Sequence, residues 1–151
     1  KKFRTIGDTW HNDSPRVGKK NIVNAYRFLV TIMLDDFTSK NGATLYVPKS
    51  HLKNSKPLRN FNYKSKFLAG KKGDVVIFDS GLWHKGGMPS NLPRLGIFNL
   101  YGPWWIKPYF NFQKMIGKKG TKLNKFVRKT LHYNSIPPKN NEERPLTVTK
   151  L

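Results

Sequence analysis

The alternation of apolar and polar residues makes the first two thirds of the chain strand-like. YRFLVTIMLDD (26–36) is rich in β-branched and aromatic residues and closes on two acids, which predicts a strand. SKNG follows as a turn, and ATLYVP (43–48) reads as a second strand stopped by Pro48. Residues 53–66 are polar and Lys-rich and suit a surface loop. Beyond a turn at Gly73-Asp74, Val75–Phe78 is a short apolar strand, and His84 falls in the Gly-bounded loop behind it. RLGIFNLYGPWW (94–105) predicts the next strand, ended by Gly102-Pro103.

A helical period appears only later. In TKLNKFVRKTLHY (121–133) the apolar residues Leu123, Phe126, Val127 and Leu131 share one helical face, with Thr121 available as a cap. Residues 134–151 read as a tail with little apolar packing of its own. Short strands separated by turns, with few helices between them, imply a mainly β fold, an antiparallel sandwich or jelly roll. The same order disfavours a βαβ architecture. The expected organisation is a β core over 1–105, with a helical extension and tail over 106–151 belonging to the same domain.

Composition narrows the class. At 151 residues the chain is long enough to bury a core, and an aromatic share of 13% offsets a modest hydrophobic share of 37%. No apolar run is long enough to span a bilayer, and KKFRTIGDTWHNDS lacks the apolar core of a signal peptide. The absence of cysteine excludes disulfides, thiolate nucleophiles and Cys-zinc sites, and agrees with a reducing, cytoplasmic location.

Lys and Arg total 29 against 8 acids, a net charge of +21. The excess is mostly Lys, is spread along the chain, and accompanies no zinc finger, Arg-rich helix or RNP-like strand. Specific nucleic-acid binding is therefore not expected, whereas attraction of an anionic small-molecule substrate is. Lys and Asn are also favoured by A- and T-rich codons, a competing cause of the charge.

Two stretches carry candidate chemistry, TWHNDSP (9–15) and GLWHKGGMPSNLPRL (81–95). In an extended segment, alternate residues point to one side, so His11 and Asp13 converge while Asn12 faces away. With His84 they would make two imidazoles and one carboxylate on one face of an ion, the set that suits non-haem Fe(II) and leaves positions open for substrates. Each stretch read alone also fits polar residues in two unrelated loops.

The ordered set WHND, TIMLDDFTSKNGATLYVPKSHL, KKGDVVIFDSGLWHKGGMPSNLPR and GIFNLYGP, spanning residues 8–105, resembles the phytanoyl-CoA dioxygenase family. The resemblance implies a double-stranded β-helix, a jelly-roll form, that uses Fe(II), 2-oxoglutarate and molecular oxygen. It implies His11, Asp13 and His84 as the iron ligands and Arg94, ten residues after His84, as the residue gripping the distal carboxylate of 2-oxoglutarate. The implied reaction is hydroxylation of a small or medium organic substrate with release of succinate and CO2. Asp13 argues against the halogenating branch, in which a small residue replaces that carboxylate.

Three departures stand out. PKSH (48–51) has Lys49 where the family usually has Gly. Gly86 and Gly96 stand where many members have a hydroxyl near the co-substrate carboxylate; Thr31 is the candidate substitute, against the alternative of a buried Thr bonded to backbone. Members also carry a segment before HxD, so an N-terminally truncated member is the expectation.

Among the remaining residues, His51 reads as structural or near substrate, His132 as a surface residue of the predicted helix, and the four Trp as core or pocket-mouth residues. Asp74 and Asp79 suit turns, and Asp35 and Asp36 point to opposite faces, which argues against a paired acid–base role. The alternative function is a non-catalytic jelly-roll domain that binds an anionic ligand. The sequence leaves the oligomeric state open.

Overall fold

The computed structural model describes residues 9–13, 26–88, 90–103, 106 and 108–133; the tail 134–151, Trp104 and Trp105 lie outside the described residues. The chain divides into two compact units, Lys1–Gly102 and Pro103–Leu151.

The described part of the first unit is mainly β. It contains β1 (Phe28–Met33), β2 (Leu45–Tyr46), β3 (Lys66–Phe67), β4 (Val75–Asp79), β5 (His84–Lys85) and β6 (Gly96–Tyr101). They form two antiparallel three-stranded sheets, ordered β4-β1-β6 and β3-β2-β5. The strands expected around 26–36, 75–78 and 94–105 are β1, β4 and β6. Lys66 and His84, expected in loops, instead lie in β3 and β5. Two-residue strands have no period to read; pairing with β2 alone makes them strands.

β1 alternates strictly, so Leu29, Thr31 and Met33 are buried while Phe28 is exposed. Met33 joins Phe37 and Ala43 in a core that also takes Val76 of β4 and Leu68, which follows β3. A second cluster of Trp10, Val47 and Trp83, with Leu45 and Tyr63 against it, covers the opposite face of the β3-β2-β5 sheet. Register divides that sheet cleanly. Leu45 faces Phe67 and Lys85, whereas Tyr46 faces Lys66 and His84.

The acids act as turn anchors. Asp36 accepts from the Lys72 amide (2.9 Å) and the Lys71 ammonium (3.0 Å), and Asp74 accepts from the Lys71 amide (2.8 Å). Asp35 accepts from the Leu95 amide (2.8 Å) and Asp79 from the Gly81 amide (2.7 Å), so the turn roles expected of Asp74 and Asp79 are those they fill.

The described part of the second unit is helical. α1 (Phe112–Ile116) is capped by Asn111, a 3₁₀ turn spans Gly117–Lys122, and α2 (Lys125–Thr130) is capped by Asn124, whose side chain accepts from the Val127 amide at 2.9 Å. The predicted helix is thus shorter at both ends. The Thr121 hydroxyl donates to the Lys118 carbonyl (2.8 Å) instead of capping, and His132 lies past the helix at φ 62°.

The backbone explains one sequence departure. Lys49 sits at φ 61°, ψ 4°, the left-handed region that a side chain disfavours and glycine tolerates. Lys49→Gly is expected to raise the unfolding free energy by about 1 kcal/mol, read as an increased urea midpoint. The second prediction concerns Asp36, whose carboxyl is held below its ordinary 3.8, first by the Lys72 amide and then by Lys71. A depressed folded pKa adds stability above the unfolded value and loses it as pH falls through the folded one. Asp36→Asn should therefore lower the urea midpoint at pH 7, with the gap to the parent closing as the solution is acidified below 3.8.

Candidate metal centre

Position 11 extends the β3-β2-β5 sheet by one residue. The His11 amide donates to the His84 carbonyl (3.0 Å) and the His84 amide to the His11 carbonyl (2.9 Å), an isolated antiparallel bridge. Residues opposed in this way put their side chains on the same face, and the two imidazole centroids lie 4.3 Å apart. The Asp13 amide donates to the Ser80 carbonyl (2.9 Å), which returns the carboxylate to that face two residues on.

The result is a convergent cluster. Asp13 Oδ1 is 3.8 Å from His11 Nε2, Asp13 Oδ2 is 3.6 Å from His84 Nε2, and one ligand atom from each of the three residues lies within 4.8 Å of the others. Each histidine has its Nδ1 against a main-chain carbonyl two residues earlier, Thr9 for His11 (2.7 Å) and Leu82 for His84 (2.8 Å). A neutral imidazole in that setting carries its proton on Nδ1, which leaves the Nε2 lone pair for an ion. Burial, the largest influence, pushes the His84 imidazole below its ordinary 6.5, against the opposing effects of the Leu82 carbonyl and the Asp13 charge. His84 is nearly buried, while the His11 and Asp13 side chains remain 22% and 26% exposed. The cluster is therefore anchored on one side and open on the other. His11, Asp13 and His84 together form a possible metal site.

The tryptophan before each histidine explains the repeated Trp-His pair. Alternation sends Trp10 and Trp83 to the opposite face of the sheet, where both are buried. Tyr63 meets Trp10 edge-on at 5.5 Å and Trp83 at 5.1 Å, while Lys85 and Lys53 lie over Trp10 and Trp83 at 4.8 and 4.9 Å. Each ring anchors the backbone from which the next imidazole projects.

A further support escaped sequence reasoning. Ser50 is fully buried; its hydroxyl donates to the Val47 carbonyl (2.7 Å) and accepts from the Trp83 amide (2.8 Å), one residue before His84. Its signal in the sequence is the PKSH stretch, in which His51 reads as structural or near substrate. His51 is not among the clustered metal-ligand residues.

Thr31 lies on the buried side of β1, and Arg94 stands two residues before β6. The Arg94 guanidinium stacks on Phe37 (4.3 Å to the ring centroid), and its Nε and one Nη both donate to the Gly42 carbonyl, at 3.0 and 2.8 Å. Burial lowers its pKa. Gly96 is glycine for steric reasons, because a Cβ there would come within 2.6 Å of the Phe37 ring. Thr31 is opposite Phe98 on β6 and Val76 on β4, with Phe78 diagonal to it. Phe78 meets the His84 ring edge-on at 5.6 Å, and Phe98 lies 6.4 Å from Phe37, so Thr31 stands between the histidine cluster and Arg94. Its hydroxyl is fully buried and has no hydrogen-bond partner among the described residues, so the backbone-bonded alternative does not hold.

Ser50→Ala should leave the Trp83 amide without its partner and lower stability by about 1–3 kcal/mol. Because the same bond orients the His84 strand, affinity for Co(II) should fall about tenfold in equilibrium dialysis; unchanged affinity would limit Ser50 to a structural role.

The family model for phytanoyl-CoA dioxygenase (PhyH) matches residues 2–94. Two uncharacterized mycobacterial proteins, Rv1501 of Mycobacterium tuberculosis and Mb1539 of Mycobacterium bovis, are each 32% identical over 114 residues, covering 73% of this chain. The chain spans 40% of the length of these curated relatives. Among solved structures it is similar to AviO1 from Streptomyces viridochromogenes, at 28% identity and TM-score 0.49, covering 66% of this chain and 44% of that one. It is also similar to EvdMO1, at 25% identity and TM-score 0.45, covering 62% and 23%. On the extent of the family match, the chain belongs to the phytanoyl-CoA dioxygenase family.

Proposed function

We propose that this chain is the jelly-roll core of an Fe(II)- and 2-oxoglutarate-dependent dioxygenase that hydroxylates a small or medium organic substrate. The observation that carries the reading is the convergence of His11 Nε2, His84 Nε2 and the Asp13 carboxylate, with both imidazoles oriented by backbone carbonyls.

The chain's own residues fit the co-substrate as well as the ion. The Gly42 carbonyl occupies the Nε edge of the Arg94 guanidinium, which leaves the fork between its two terminal nitrogens for a carboxylate. Phe37 fixes the plane of that fork. The unpartnered Thr31 hydroxyl supplies a donor in place of the hydroxyl that Gly86 and Gly96 lack. Phe78 supplies an apolar edge against the His84 ring.

When bound, Fe(II) with 2-oxoglutarate and oxygen supplies the oxidising chemistry, and the co-substrate leaves as succinate and CO2. The protein's share is to hold the ion through His11, Asp13 and His84, to orient the co-substrate through Arg94 and Thr31, and to leave one side of the ion open.

Anaerobic addition of Fe(II) and 2-oxoglutarate should give a weak visible charge-transfer band. Its absence, with 2-oxoglutarate failing to bind, would favour the non-catalytic anion-binding domain instead. Asp13→Ala should abolish iron retention in equilibrium dialysis. Arg94→Lys should retain iron but raise the 2-oxoglutarate concentration at half-maximal band intensity about tenfold, the scale of a lost bidentate charged pair.

A further inference from the structure

We propose that Tyr46 and Lys66 form an anion-recognising strip for the substrate on the metal face of the β3-β2-β5 sheet. The inference rests on the functional reading above and extends it to the class of substrate. Cross-strand register is its basis. Tyr46 of β2 is directly opposite His84 of β5 and, on its other side, directly opposite Lys66 of β3. Residues opposed in an antiparallel sheet share a face. Lys66, Tyr46, His84 and His11 therefore form one row across the sheet, with Asp13 beside its end.

Two neighbouring cations are committed to the other face. Lys85 lies over Trp10 and Lys53 over Trp83, both against the aromatic cluster. Lys66 is exposed, and no acid among the described residues pairs with its ammonium. Half-buried Tyr46 places a phenol between that ammonium and the histidine cluster.

Strands lie about 4.8 Å apart, so the Lys66 and His84 strand positions are about 10 Å apart, with the Tyr46 position midway. A substrate laid along it would carry an oxyanion, a carboxylate or a phosphate ester, at the end remote from the carbon presented to the ion. The Lys66 ammonium would hold the oxyanion and the Tyr46 hydroxyl the chain leading from it.

The test uses the full chain loaded with Co(II), with hexanoate, hexyl phosphate and hexan-1-ol as probes, and reads affinity and paramagnetic broadening by NMR. Both anionic probes should bind more tightly than the alcohol, with the terminal methyl broadened more than the methylene next to the anionic group. Lys66→Met should weaken the anionic probes about fivefold while leaving Co(II) and hexan-1-ol binding unchanged, and Lys66→Arg should restore affinity. A preference for hexanoate over hexyl phosphate would assign a carboxylate, and the reverse a phosphate ester. Equal probe affinity in Lys66→Met, or strongest broadening next to the anionic group, would overturn the strip while leaving the metal reading intact. Failure of the parent chain to bind Co(II) would overturn both.

Discussion

Two backbone hydrogen bonds, His11 to His84 and His84 to His11, are the constraint on which the site depends. They bring together residues far apart in sequence, and antiparallel register then puts both imidazoles on one face. Everything else follows from alternation. Asp13 returns to that face two residues later, and the preceding tryptophans turn away into a cluster that holds the backbone still. The carbonyls of Thr9 and Leu82 then orient each ring. Ser50 reinforces the same strand from behind through the Trp83 amide. A small number of main-chain contacts thus does the positioning, and the side chains are left for chemistry.

The site was more legible in the sequence than the sheet that carries it. His11 and Asp13 announce themselves by their spacing, and the Trp-His pairs mark both ends of the cluster. β3 and β5 left no trace, because two-residue strands have no period and their existence depends on β2. The helix in the second unit was visible as a pattern but misplaced at its ends, because Asn124 outcompetes Thr121 as a cap. Ser50 was hidden because the bond it accepts comes from the Trp83 amide, and no local pattern records so long a connection.

The departures from the family pattern have separate physical origins. Lys49 occupies a left-handed backbone position, so the glycine usual there is a conformational preference and not a chemical one. Gly96 makes room for Phe37, the ring on which Arg94 rests. Gly87 is required because a Cβ there would collide with the backbone of Gly42 and Ala43, next to the carbonyl that orients Arg94. The guanidinium thus depends on two glycines, Gly96 and Gly87, and each serves a close approach beside it.

The use of the acids has a consequence for the whole molecule. Asp35, Asp36, Asp74 and Asp79 all accept from backbone amides at turns, and Asp13 belongs to the candidate metal site. The net charge of +21 already counts these carboxylates, so the cations far outnumber them and the folded surface repels itself. Screening acts over about 10 Å at moderate ionic strength, so added salt weakens the longer-range part of this repulsion. Dissolved electrolyte is thereby an unwritten component of this fold. It relaxes the strain between lysines without disturbing the short carboxylate–amide contacts that hold the turns.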